Sequence, residues 1–550
     1  MPIARARIVK ATSSWFSTAQ WLLALWVTFM LVGCGSSNNT SNSPPPPPPA
    51  GTGSVVWKKG STTPIMQVTG DIFQFFVNGN LNFYPTASKT VTDSGAAGMD
   101  LGIPVSFPGK VILLWGDTTP VYAANIPGVG PGFYLADDKG NDSIGVVPDM
   151  DLGPCNAIPT LYQQLTAGSS GAMIDYSQCP MMTIFNQASP PPQTALYEPT
   201  TISGLGPNEG TGLLEVPTGA FSYNNNLYMF YTVTILSDLG LQYDPNQGPN
   251  FSITSILAKS TTTSDQWTNL NAPSFAKLYD ASAIPASTIT TPPYSLNNPP
   301  PETSNPGKFI FVSPRLLQVS AISNLSWFSG LPASLQATSS IVFLFGTSWH
   351  VGDSNMYLAA VSAQDIEDTN GAGGPDSTKW WYYAGSDPSG NPQWSHNEVD
   401  ASPLFAPWAG GQHDVMWIPE LDHFVVHYQN HGIQSRSAFA PWGPWTSETQ
   451  IFSKDDATWG SSISHHPGQD SITEFAVPPL VIYNKATGKP IDEDPTKNAF
   501  IYGGYCLDRY TVNADQSITF YCTVSTLVPY GTFLMKTTYC LDSTSSACSN

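Results

Sequence analysis

The chain has 550 residues, only 11% of them charged, and 40 Asp and Glu against 20 Lys and Arg give a net charge of −20. So acidic a chain is a poor partner for nucleic acid or an anionic surface, while neutral polymers remain open to it. Few charges among abundant Gly, Pro, Ser, Thr and Asn describe a loop-rich, all-β exported protein.

Residues 1–33 read as a lipoprotein signal peptide. Arg5, Arg7 and Lys10 form the basic region, Trp21 to Val32 the apolar run, and Leu31-Val32-Gly33-Cys34 sets a cysteine at the cleavage point. Cys34 is the expected lipidation site. Removing three basic residues with the signal leaves 17 basic and 40 acidic residues, net −23. Residues 34–54 form a Ser/Asn/Pro-rich tether, which the Pro44–Pro49 run holds extended. Gly35 in place of an aspartate retention signal points to the bacterial outer membrane or cell surface, with the lipid as the sole membrane contact. Residues 55–550 are the folded body, expected as a monomer.

Six cysteines remain besides Cys34, and an even number in an exported chain reads as disulfides. Proximity pairs Cys155 with Cys179, Cys506 with Cys522, and Cys540 with Cys548.

No long segment shows helical periodicity, and Ser362–Asp368 is only a weak candidate. A short apolar strand followed by a polar-edged one recurs five times instead. The leading strands are Val111–Thr118, Leu227–Val233, Ile341–Thr347, His423–Tyr428 and Ala499–Gly504. Partners of the last four are Ile256–Ser260, Met356–Val361, Ile433–Ala438 with Pro441–Trp445, and Ile518–Cys522. If each leading strand is innermost, five units of about 100 residues predict a five-bladed β-propeller with long inserted loops at 119–215, 268–306 and 363–400. A two-sheet sandwich is the competing architecture.

Two carboxylates stand out in the first unit. Asp100 precedes the extended stretch Ile103–Phe107, Pro108-Gly109 turns the chain, and Asp117 ends the apolar run Val111–Trp115, with Gly116 as punctuation. An antiparallel hairpin brings its two open ends together, so both acids can face one space. Paired acids are what glycoside hydrolysis needs, one to protonate the leaving oxygen and one as base or nucleophile.

Asp100-Leu-Gly and Gly116-Asp-Thr118 resemble the start of a five-bladed propeller family labelled a domain of unknown function, some of whose members hydrolyse D-arabinofuranan. Pro217–Phe221, Ser354–Leu358, Pro441-Trp-Gly-Pro-Trp445 and Val528-Pro-Tyr530 agree with it in order and spacing, so the resemblance runs from about residue 90 to 538. It implies that Asp100 and Asp117 are the active-site pair of a glycoside hydrolase acting on an arabinan-like furanoside. The insertion 121–138 and the segment between Cys155 and Cys179 depart from the family pattern.

Candidate sugar contacts are Trp115, Trp417, Asp142, His413, Asp414 and Arg436, with Trp349 and Trp445 as further aromatic faces. A third acid among Asp142, Asp149 and Asp151 would tune the pair by like-charge repulsion. His423, His427 and His431 lie four apart, but Phe424 stands where a zincin needs glutamate, and neither metal nor organic cofactor is expected. Nor is there a Gly-x-Ser-x-Gly elbow or a phosphate loop. Two alternatives stay open. One is a non-catalytic glycan-binding propeller. The other is a sialidase-like hydrolase clamping a carboxylate with Arg315, Arg436 and Arg509, although its Asp-box is represented only partly, by Ser264-Asp265-Gln-Trp267.

Overall fold

The structure is a computed structural model. It describes residues 54–69, 96–107, 110–120, 141–148, 216–236, 251–260, 308–347, 355–368, 376–405, 412–430, 432–453, 501–526 and 531–541, with eight short strands besides. At several strand ends the backbone alone is described. The signal, tether, Cys155, Cys179, Cys548, Trp349, His431, Asp149, Asp151 and Ser264–Trp267 lie outside the described residues.

Strands β1 (Val55–Trp57) and β2 (Thr63–Gln67) are followed by the hairpin β3 (Ile72–Val77) and β4 (Asn80–Pro85). Next come β5 (Ala96–Phe107) and β6 (Lys110–Pro120), the short pair β7 (Ala123–Ile126) and β8 (Gly130–Phe133), and β9 (Asn141–Pro148). A second group holds β10 (Glu209–Gly210), β11 (Pro217–Tyr223), β12 (Asn226–Leu236), β13 (Phe251–Ser260) and β14 (Ser274–Asp280). The third has β15 (Phe311–Gln318), β16 (Ser340–Thr347), β17 (Tyr357–Ser362), β18 (Trp381–Ser386) and β19 (Pro392–Ser395). The fourth has β20 (His413–Ile418), β21 (His423–Gln429), β22 (Ile433–Ala438) and β23 (Thr449–Phe452). After the pair β24 (Tyr483–Asn484) and β25 (Lys489–Pro490), the chain ends in β26 (Ile501–Val512), β27 (Ile518–Thr526) and β28 (Gly531–Leu541).

The fold is all-β with a propeller arrangement. Four sheets have four or five strands: β10–β14, β15–β19, β20–β23, and β26–β28 with β1 and β2. Where the sequence predicts a fifth such blade, β5, β6 and β9 form a sheet of three strands. Strands β5, β11, β15, β20 and β26 pack against one another in succession, and β26 returns to β5. A side-chain hydrogen bond crosses each junction. Ser222 Oγ donates to the Ser106 carbonyl at 2.6 Å, and Val312 N–H to Thr218 Oγ1 at 3.2 Å. Ser313 Oγ donates to Asp414 Oδ1 at 3.1 Å, Cys506 N–H to Asp414 Oδ2 at 2.8 Å, and Tyr502 Oη to Asp100 Oδ2 at 2.9 Å.

The strands expected to be innermost are therefore mostly the second of their sheets. In four of them, β6, β12, β16 and β21, a strand pairs on each side, and the side chains of β16 and β21 are buried on both faces. Such a strand must be continuously apolar, and that makes it the most visible in the sequence. The ring strands carry the polar groups of the axis and read less clearly. Only the fifth unit's leading strand, β26, lies on the ring. Trp442-Gly-Pro-Trp445 forms a turn and loop rather than a strand, and Ser362–Asp368 closes β17 with a turn.

Candidate active site

Asp100 is 1% exposed on β5 and stands opposite Gly116 of β6. The chain either side of it is shaped to present it. Leu101 (φ 63°) and Gly102 (φ 64°) are consecutive residues in the left-handed region, and the register slips between Leu101 and Ile103. Two groups on β27 hold this bulge. Leu101 N–H donates to Ser525 Oγ at 2.8 Å, and Thr523 Oγ1 donates to the Gly102 carbonyl at 2.9 Å. A Cβ at Gly102 would come within 2.5 Å of the Trp115 ring, and one at Gly116 within 2.7 Å of Asp100 Oδ1. Gly116 is thus a close-approach glycine inside a strand that runs on to Pro120, not the strand's end.

Asp117 adjoins the residue opposite Asp100, so the two backbones lie side by side at a register shift. The side chains of Asp117 and Asp142 lie outside the described residues.

Asp414 is the second buried carboxylate of the ring. It sits between β15 and β26, bonded to Ser313 and to Cys506 N–H, with Arg315 Nη2 3.6 Å away. Burial raises its pKa, while Arg315 and the Cys506 N–H pull it down. Tyr505, 1% exposed, feels both Asp414 and Asp100, and burial above all keeps its phenol protonated. Gly503 and Gly504, both at positive φ, shape the strand between Tyr502 and Tyr505.

The other expected contacts sit in the fold as follows. Trp115 is wholly buried beneath Gly102, so its face packs the core and is closed to a sugar. His413 points away from the ring, its Nε2–H donating to the Phe345 carbonyl at 2.9 Å, because side chains alternate along β20 and Asp414 takes the axial face. Trp417 packs at 4.7 Å on Phe424 and edge-on at 6.2 Å to Trp327 in an aromatic cluster, and Trp445 joins Phe345 and Phe405. Arg436 donates to Tyr428 Oη and the Thr446 carbonyl and lies over the Phe405 ring at 4.8 Å. Arg315 donates to the Val415 carbonyl and pairs with Asp508 and Asp414. Both arginines are committed to partners within the fold, which weighs against the arginine-clamp alternative.

Cys506 and Cys522 face each other across β26 and β27 and form the expected disulfide. Cys540 is likewise disulfide-bonded. His427 lies against Cys506, and His427, Cys506 and Cys522 place ligand-type atoms within 4.8 Å of one another. The two sulfurs are bonded to each other, however, so neither is the thiolate a metal requires. Sequence reasoning missed Tyr502 and Tyr505, since nothing local marks a tyrosine as facing an acid 402 residues away.

The chain belongs to the family described as a domain of unknown function (DUF4185), which matches residues 185–536. No curated protein matches the sequence. Among solved structures, the α-L-arabinofuranosidase of Podospora anserina in complex with cellotriose has a TM-score of 0.35 at 9% identity, covering 87% of this chain and 98% of that one. The catalytic domain of the Coprinopsis cinerea GH62 α-L-arabinofuranosidase gives 0.34 at 9%, covering 89% and 98%. An exo-1,5-α-L-arabinanase from a bovine ruminal metagenomic library gives 0.25 at 10%, covering 80% and 93%.

Proposed function

We propose that this protein is a glycoside hydrolase cleaving a furanoside polysaccharide of the arabinan type, with Asp100 and Asp117 as its paired acids. In this reading the sheet of β5, β6 and β9 is the fifth blade, and the body is held at the cell surface by lipid on Cys34 and the 34–54 tether. The observation that carries the reading is the Asp100 carboxylate. A buried acid on the ring, gripped by Tyr502 and set against a glycine, is a costly arrangement for a turn residue and a useful one for chemistry. The register supports the pairing, because Asp117 adjoins the partner of Asp100.

Hydrolysis then needs one acid to protonate the leaving oxygen while the other attacks or activates water. A carboxyl separation of about 5 Å gives retention, and one beyond about 6 Å inversion. The test is reducing-end release from a panel of arabinans and other neutral polysaccharides, with wild type beside Asp117→Asn. Hydrolysis is expected in the wild type, with the variant losing it and still binding the polymer. A wild type that binds a polymer without cutting any would make the protein a capture module.

A further inference from the structure

We propose that Tyr502 is the positioning residue of Asp100, fixing it as the charged member of the pair, and so making Asp100 the base or nucleophile and Asp117 the proton donor. The division of roles rests on the glycosidase reading, whereas the state of Asp100 does not.

The geometry is specific. Tyr502 is fully buried at the start of β26 and Asp100 is 1% exposed on β5, and the phenol donates to Oδ2 at 2.9 Å. The other oxygen, Oδ1, lies over Gly116, where a Cβ would approach to 2.7 Å. The carboxylate is therefore bonded on one side and closely packed on the other. The sheet that supplies Tyr502 also supplies Ser525 and Thr523, which pin the backbone at Leu101 and Gly102. A single sheet thus sets both the chain carrying the acid and the direction of its carboxylate.

The chemistry follows from the donor. A phenol ionises near pH 10, far above a carboxyl group, so the shared proton stays on tyrosine. A hydroxyl donating to a carboxylate favours its charged form, whereas apolar burial alone favours the neutral acid. Leu101 and Ile103 are buried alongside, so Tyr502 offsets that apolar pressure. A carboxylate held charged and oriented can accept a proton or attack carbon but has no proton to give, which leaves donation to its partner.

The decisive variant is Tyr502→Phe, which keeps the ring and deletes the hydroxyl. Infrared difference spectra against Asp100→Asn isolate the Asp100 carboxyl band, which can then be titrated. Asp100 is expected to be charged at pH 7 in the wild type and to take up its proton at higher pH in Tyr502→Phe. In turnover, the variant should lose up to about 10²-fold in kcat, the cost of misplacing a reacting group by about an ångström, with KM little changed and the acid limb of the pH profile moved upward. A protonated Asp100 at pH 7, or a midpoint unmoved by the substitution, would overturn the proposal.

Should Tyr502→Phe fail to fold, the wild-type titration still decides the charge, and activated aryl furanosides decide the roles. Asp117→Asn should retain activity on a substrate whose leaving group needs no proton, and Asp100→Asn should not. The reverse pattern refutes the assignment. A wild type that hydrolyses no furanoside sinks the glycosidase reading alone, while the infrared titration still answers for Tyr502.

Discussion

Gly116 is the residue at which packing and chemistry meet most directly. A methyl group there would stand 2.7 Å from Asp100 Oδ1 and 2.9 Å from Leu101 Cδ1. The Leu101 side chain has neighbours to push, but the carboxylate is tied to Tyr502 and can move only by stretching that bond. Gly116→Ala is therefore expected to cost activity as well as stability. Displacing the acid by about an ångström lowers kcat up to about 10²-fold, against a loss of about 1–3 kcal/mol for one overpacked methyl group. Steady-state kinetics beside urea denaturation measure the two effects, and a variant that loses stability alone would free Asp100 from its packing role. Part of this was legible in the sequence. Asp-Leu-Gly and Gly-Asp-Thr announced the acid and its glycine, but Gly116 read as punctuation because a contact across strands leaves no local mark. Tyr502 was invisible for the same reason at greater range.

Whole strands show the same division between what a sequence displays and what it hides. All five predicted units contain strands, and the pairings β12 with β13, β16 with β17, β21 with β22 and β26 with β27 fall where the periodicity placed them. The position of a strand within its sheet is not legible this way, because continuous apolarity marks burial on both faces and not nearness to the axis. His427 illustrates how such a strand packs. It lies on β21, its Nδ1 3.3 Å from the Gly504 carbonyl and its Nε2 2.6 Å from Tyr539 Oη. Tyr539 donates to Ser435, so its oxygen accepts from His427 Nε2–H. Burial pushes this histidine down to about pH 4, against 6.5 when exposed. Between those values the unfolded chain binds a proton that the folded chain refuses. The stabilisation is complete above pH 6.5 and lost as pH falls towards 4, with a ceiling of about 3 kcal/mol. Glu398, pushed up to about 8 by burial, slopes the other way, so the useful quantity is the difference from His427→Gln. That variant should lose less stability than the wild type between pH 7 and 4.5 in urea titrations. Equal losses would mean that His427 charges inside the fold.

At the scale of the molecule, the question is what keeps a ring of sheets shut. Among the described residues, ring strands meet through one to three hydrogen bonds at each junction, whereas strands within a sheet share full ladders, so the seams are the weaker places. The chain reinforces the last seam with its own beginning. Strand β1 pairs with β28 from Val55 opposite Leu541 to Trp57 opposite Tyr539, and β2 pairs with the same strand from Thr63 opposite Lys536. The Val55 carbonyl also accepts from Ser437 Oγ of β22 at 2.8 Å, so β1 ties the final sheet to its neighbour. Val55, Ile65 and Val68 are all buried, and at about 1.5–3 kcal/mol for each large apolar side chain they contribute about 5 kcal/mol or more. That is comparable with the whole stability of an ordinary domain. A chain beginning at residue 70 is therefore expected to lose its cooperative unfolding transition, while one beginning at residue 54 keeps it. The shorter chain should also associate, because removing β1 and β2 bares the β28 edge to another molecule. Calorimetry and light scattering on the two chains are the measurement. Equal midpoints with a monomeric short chain would show that the ring strands close the molecule unaided.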